Sequence, residues 1–73
     1  MQNRVKELRI EKGMTQEDLA ERAGVSRQTI ISIESGRYNP SILLAYKLSH
    51  LLSLSIEKLF LCEEQIKLED YDE

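Results

Sequence analysis

The chain has 73 residues and a formal charge of -3, but the charge is regional: residues 1–62 hold nine Lys or Arg against seven acids, whereas 63–73 hold six acids and Lys67 alone. A body of net +2 with a tail of -5 does not exclude a nucleic-acid partner, and the length gives one domain small enough to favour a compact helical fold or a partner subunit. The lone Cys62 permits no intramolecular disulfide, no run nears the roughly 18 apolar residues of a membrane span, and the opening MQNRVKELRI lacks a signal-peptide core, so the expectation is a soluble, cytoplasmic protein with no membrane partner.

The first helix is expected from about Asn3 to Glu11, with Val5 and Leu8 facing inward and Gly13 as its left-handed stop. Thr15 opens the second: TQED is a Thr-x-x-Asp capping box, followed by an inward stripe of Leu19, Ala20 and Ala23. Gly24 stops it, and Ser26 caps a third helix after a turn so short that the two helices must cross steeply. Ala20 is small enough to let that third helix approach. Gly36 ends the third helix. The fourth is expected over about Pro40 to Leu52, with Asn39 as cap and Leu44, Ala45, Leu48, Leu51 and Leu52 as the floor of the core. Ser55 caps a short fifth helix whose Ile56, Leu59 and Phe60 close the bundle. The stretch from Glu63, with scattered Ile66, Leu68 and Tyr71 among acids, reads as an acidic arm or a disordered tail. The fold class is therefore all-α, a five-helix domain over 1–62 with a short acidic arm over 63–73.

The third helix, SRQTIISIE, carries the chemistry. At about 100° per residue, Ile30 and Ile33 define a buried side, and the opposite side holds Gln28, Ile31, Ser32 and Ser35 with Arg27 at the first turn. No carboxylate lies on that outward side. Such a face can enter the major groove, where Gln pairs with adenine, Arg with guanine, and an aliphatic side chain meets a thymine methyl. Against this stands the ordinary reading of outward Gln and Ser as solvated. Arg27, however, sits at a helix start, where the macrodipole disfavours a cation, so a structural role does not explain it. Glu34, at the edge of the buried side, needs a cationic partner, and Arg9 is the candidate.

MTQEDLAERAGVSRQTIISIESGRYNPS resembles the helix-turn-helix of lambda-repressor-like, Cro and xenobiotic-response-element (XRE) type regulators, and the likeness runs from about Asn3 to Phe60. The resemblance implies base reading by Arg27, Gln28 and Ser32, to which the outward position of Ile31 adds a fourth candidate. It implies backbone contact by Gln16, Ser26, Thr29, Arg37, Tyr38 and Asn39, with Gln16 also bracing Gln28 and the Arg37–Asn39 loop holding phosphate through side chains and amides. It also implies that Arg9 and Glu34 form a buried structural pair. Two departures are visible: Ser32 is short where relatives carry Gln, and Ser53 stands where glycine often precedes the last helix.

One such helix reads only a few base pairs, so a homodimer on a pseudo-palindromic double-stranded DNA operator is expected. Leu52, Leu54, Phe60, Leu61 and Ile66 are its candidate interface. The alternative is an antitoxin-like or adaptor module that binds a basic partner through the acidic tail. An enzyme is not expected: His50 is solitary, Cys62 reads as an apolar filler, and neither a metal-ligand cluster nor a nucleophile–base pair is evident, so no metal or other cofactor is called for. With no sensor segment recognisable, no small-molecule ligand is expected either.

Overall fold

Four hydroxyl side chains start four of the five helices. In the computed structural model, which describes residues 2–62, the helices are α1 (Val5–Glu11), α2 (Gln16–Ala23), α3 (Arg27–Glu34), α4 (Ile42–Leu52) and α5 (Ile56–Leu59). Thr15, Ser26, Ser41 and Ser55 precede α2 to α5, and each accepts the backbone N–H three residues on. At Thr15 the box is reciprocal: its hydroxyl accepts from the Asp18 amide at 3.0 Å, and the Asp18 carboxylate accepts from the Thr15 amide at 2.9 Å. Each cap satisfies an amide that the helix leaves without a partner, typically worth about 1 kcal/mol.

Two boundaries differ from expectation. Asn3 lies before α1 rather than in it: its Oδ1 accepts from the Val5 amide at 3.1 Å, while its Nδ2 donates to the Ile33 carbonyl at 2.8 Å. The fourth helix is capped by Ser41, not Asn39, so Pro40 precedes the helix instead of forming its first turn. The Ser41 hydroxyl accepts from the Leu44 amide at 3.2 Å and takes the capping role expected of Asn39.

The core joins all five helices. Val5, Leu19, Ile30, Ile33, Leu48, Leu52 and Leu59 are fully buried, with Leu8, Ala20, Ala23, Leu44, Ala45 and Phe60 around them. Each large aliphatic side chain so enclosed contributes about 1.5–3 kcal/mol. α2 packs mainly on α3, and α4 lies under α1, α2 and α5. Leu51 and Ile56, expected inside, are only half-buried. The start of the chain is held down as well, the Arg4 amide donating to the Leu59 carbonyl at 2.8 Å.

Gly24 caps α2 at φ 73°, ψ 32°, and its amide returns to the Ala20 and Glu21 carbonyls, which makes the short turn into α3. Ser53 takes the equivalent position after α4, at φ 56°, ψ 41°, without glycine's freedom from steric cost. The acidic stretch 63–73, Ile66 included, lies outside the described residues. Among the described residues no helix is long and apolar enough to cross a membrane.

Candidate nucleic-acid interface

The adjacent isoleucines of α3 have separate roles. Ile30 and Ile33 are fully buried, whereas Ile31 is half-buried. The outward positions are not equivalent: on the wheel Gln28 and Ser35 lie within about 10° of the direction opposite the core, whereas Ile31 and Ser32 lie about 50° to either side of it. Gln28 and Ser35 are accordingly exposed, and Ile31 and Ser32 are half-buried flanks. Arg27 is exposed at the first turn, and Thr29 is half-buried. Ser26 caps the helix, and its hydroxyl also meets the Thr29 hydroxyl at 3.0 Å.

Two shallow depressions border the start of α3. One gathers Ser26, Gln28, Thr29, Ser32 and Tyr38. The other gathers Arg9, Met14, Thr15, Gln16, Glu17 and Arg27, bringing the first turns of α2 and α3 to a common surface. The two depressions thus gather Arg27, Gln28, Ser32, Gln16, Ser26, Thr29 and Tyr38 around the start of α3, whereas Ile31 lines neither and Arg37 and Asn39 stand exposed on the loop beyond.

The loop is organised by one carbonyl. Ser32 O accepts from the Arg37 amide at 3.1 Å, the Tyr38 amide at 3.2 Å and the Ser35 hydroxyl at 3.0 Å. The Arg37 and Tyr38 amides are therefore engaged within the protein, which corrects the expectation that they hold phosphate; their side chains remain exposed and Tyr38 is 46 % accessible.

Behind the depression with Gln16, Arg9 and Glu34 meet. Arg9 Nε donates to Glu34 Oε2 at 2.7 Å and Arg9 Nη2 to Oε1 at 3.3 Å, while Arg9 Nη1 donates to the Met14 carbonyl at 2.8 Å. A carboxylate on the last residue of a helix is disfavoured by the macrodipole, and the guanidinium offsets this. The Gln16 side chain does not brace Gln28: its Nε2 donates to Glu34 Oε1 at 3.1 Å, and no hydrogen bond joins the two glutamines among the described residues. The Gln16 amide is held instead by a charge-assisted bond to the Glu34 carboxylate.

The interface first expected for a second copy is largely interior, Leu52 and Phe60 being each 2 % exposed, and Leu54 and Leu61 are half-buried. Sequence reasoning missed an apolar strip on α4, where Ile42, Leu43 and Tyr46 are 86, 67 and 57 % exposed. The signal was present in ILLAY, where apolar residues occupy more of the helix circumference than one buried stripe can take. Tyr46 and His50 pair on this helix, Nε2 lying 3.1 Å from the phenol oxygen with the rings edge to face. No group of acidic, His and Cys side chains suited to a metal occurs among the described residues.

Comparison with known proteins places this geometry in a family. The helix-turn-helix family model matches residues 5–59. An HTH-type transcriptional regulator of Archaeoglobus fulgidus is 48 % identical over 65 residues, covering 89 % of this chain and 92 % of that protein. The restriction-modification controller protein C.AhdI of Aeromonas hydrophila superposes with a TM-score of 0.71 at 37 % identity, over 78 % of this chain and 86 % of the other. The N-terminal DNA-binding domain of SinR from Bacillus subtilis superposes at 0.68 with 42 % identity, over 74 and 80 % of the two chains. The chain belongs to the XRE-type helix-turn-helix family and is a DNA-binding transcriptional regulator, not an enzyme.

Proposed function

We propose that this regulator is a repressor that binds a pseudo-palindromic operator as a homodimer, with α3 of each copy in the major groove. The observation that carries the reading is the exposed, carboxylate-free face of α3, on which Gln28 stands opposite the core with Arg27 beside it at the helix start. Gln28 and Arg27 read base edges, and Ser32 and Ile31 make the flanking contacts that half-buried side chains can reach. Gln16, Ser26, Thr29 and the Arg37, Tyr38 and Asn39 side chains hold the backbone and set register. A compact domain seated in a promoter groove acts by excluding other proteins from it.

The second copy docks on the outer strip of α4. Ile42 borders an apolar groove with Pro40, Ala45, Ile56, Phe60 and Cys62, and Tyr46 borders a second depression that includes Leu54. Neither lining carries an acidic or basic side chain other than His50, as an isologous contact favours, and Lys47 stands exposed one turn after Leu43. Selecting bound duplexes from random-sequence DNA tests the reading: a two-fold motif with half-sites one helical turn apart, about 34 Å, is expected. Recovery of sequences without a common motif would overturn it.

A further inference from the structure

We propose that Glu34 is a positioning residue for DNA: its Oε1 orients the Gln16 side-chain amide so that the second Nε2–H meets one DNA phosphate. The buried Arg9–Glu34 pair thereby serves backbone contact as well as the core. The inference rests on the assignment of Gln16 to the DNA backbone.

Three observations lead to it. The first is how the donors are distributed. Arg9 bonds Glu34 Oε2 closely at 2.7 Å and sends Nη1 to the Met14 carbonyl, but reaches Oε1 only at 3.3 Å, whereas Gln16 Nε2 lies 3.1 Å from Oε1. One carboxylate oxygen thus serves the guanidinium and the other chiefly the glutamine. A primary amide has two N–H donors, so the bond to Glu34 fixes the amide plane and leaves a second donor with a defined direction.

The second is the charge at the surface. The depression that Gln16 lines holds Arg9, Arg27 and Glu17, with Glu34 behind it. Their formal charges cancel, so attraction for a phosphate there depends on oriented N–H groups rather than on net charge. Gln16 is the first residue of α2, where backbone amides and the helix dipole already favour an anion. An amide free to rotate would present its carbonyl oxygen as readily as its nitrogen, and the anchor to Glu34 removes that choice.

The third is that stability alone does not call for this arrangement. Glu34 ends α3, where the dipole disfavours an anion, and buried ion pairs replaced by apolar residues of similar volume often leave stability unchanged or raised. The bond to Gln16 ties the pair to the surface that faces DNA.

A double-mutant cycle on the full chain tests the proposal, using a duplex selected from random-sequence DNA and temperatures at which thermal melts show every variant folded. The apolar exchange Arg9→Met with Glu34→Leu removes the anchor while leaving a packed core. Gln16→Ala alone is expected to weaken binding about tenfold, the value of one hydrogen bond to a charged group. The apolar exchange alone should weaken it by a similar factor, and adding Gln16→Ala to it should cost less than about twofold more. A further tenfold loss in the combined variant would show the effects to be additive and would overturn the positioning role. No effect of Gln16→Ala in the native chain would overturn the backbone assignment of Gln16 itself, a separate failure. Should the exchange not fold, hydrogen exchange of side-chain amides in the native chain decides: Gln16 Nε2 protons should exchange more slowly than those of Gln28, and equal rates would refute the anchor.

Discussion

Arg9 in α1 and Glu34 at the end of α3 are joined by a 2.7 Å N–H···O bond with side chains only 9 and 5 % exposed. Removing one partner strands the other. Glu34→Ala leaves a guanidinium enclosed with a single carbonyl partner and should destabilise the fold by about 3–5 kcal/mol in denaturant titrations. For a domain of this size that is much of the total.

Gln28, proposed above to read a base edge, is exposed and holds up nothing in the fold. Gln28→Ala should leave the melting temperature unchanged, reduce affinity for the selected operator by about 1–3 kcal/mol, and leave affinity for unrelated duplex within a factor of two or so. Anisotropy titrations against both duplexes give the comparison. Equal losses on the two would move Gln28 from base reading to the backbone set.

The apolar strip of α4 makes an equally direct prediction. Tyr46→Glu places a charge on a surface that is 57 % exposed in the single chain, so the fold should tolerate it. In the proposed dimer the same charge would be enclosed and would repel its symmetry mate. Sedimentation equilibrium should show dimers for the native chain and monomers for the variant, with operator affinity falling at least tenfold while the circular dichroism spectrum is retained.

Acid should loosen the start of α2. Hydrogen bonds from the Thr15 backbone, and then from its hydroxyl, hold the Asp18 carboxyl below its ordinary value of 3.8. A depressed folded value means that the unfolded chain binds the proton more readily. The stabilisation is therefore complete above pH 3.8 and lost as pH falls through the lower folded value. Asp18→Asn should flatten this part of the acid-unfolding curve, read by ellipticity, while lowering stability at neutral pH.

Ser53 pays for a left-handed backbone that glycine adopts without steric cost. Ser53→Gly should raise stability by about 1 kcal/mol, or several degrees in melting temperature, with no change in DNA affinity. The same change at Leu61, at φ 53°, should not help, since it also removes a half-buried side chain.

Local devices were the legible part of this chain. The Thr15 box, the Ser26 and Ser55 caps and the division between Ile30 and Ile31 depend on residues within one helical turn of each other, so spacing alone reveals them. The start of α4 did not yield in the same way, because Asn39 and Ser41 are both good caps and spacing does not choose between them. The partner of Gln16 was out of reach for another reason: Glu34 is eighteen residues away, and the bond depends on how α2 and α3 cross. Leu52 and Phe60 show a third limit, since a large apolar residue near the end of a small domain suits a core and an interface equally until the packing is known.

The triple acceptance at the Ser32 carbonyl bears on how binding is driven. With Arg37, Tyr38 and Ser35 all tied to one oxygen, the end of α3 and the loop after it should meet DNA in the shape they already hold. Little backbone freedom then remains to be lost at this junction on association, so the heat-capacity change should follow the area of the contact without an added contribution from local folding. The loop would then act as a spacer, setting how far the Arg37 and Asn39 side chains stand from the groove position proposed for Gln28.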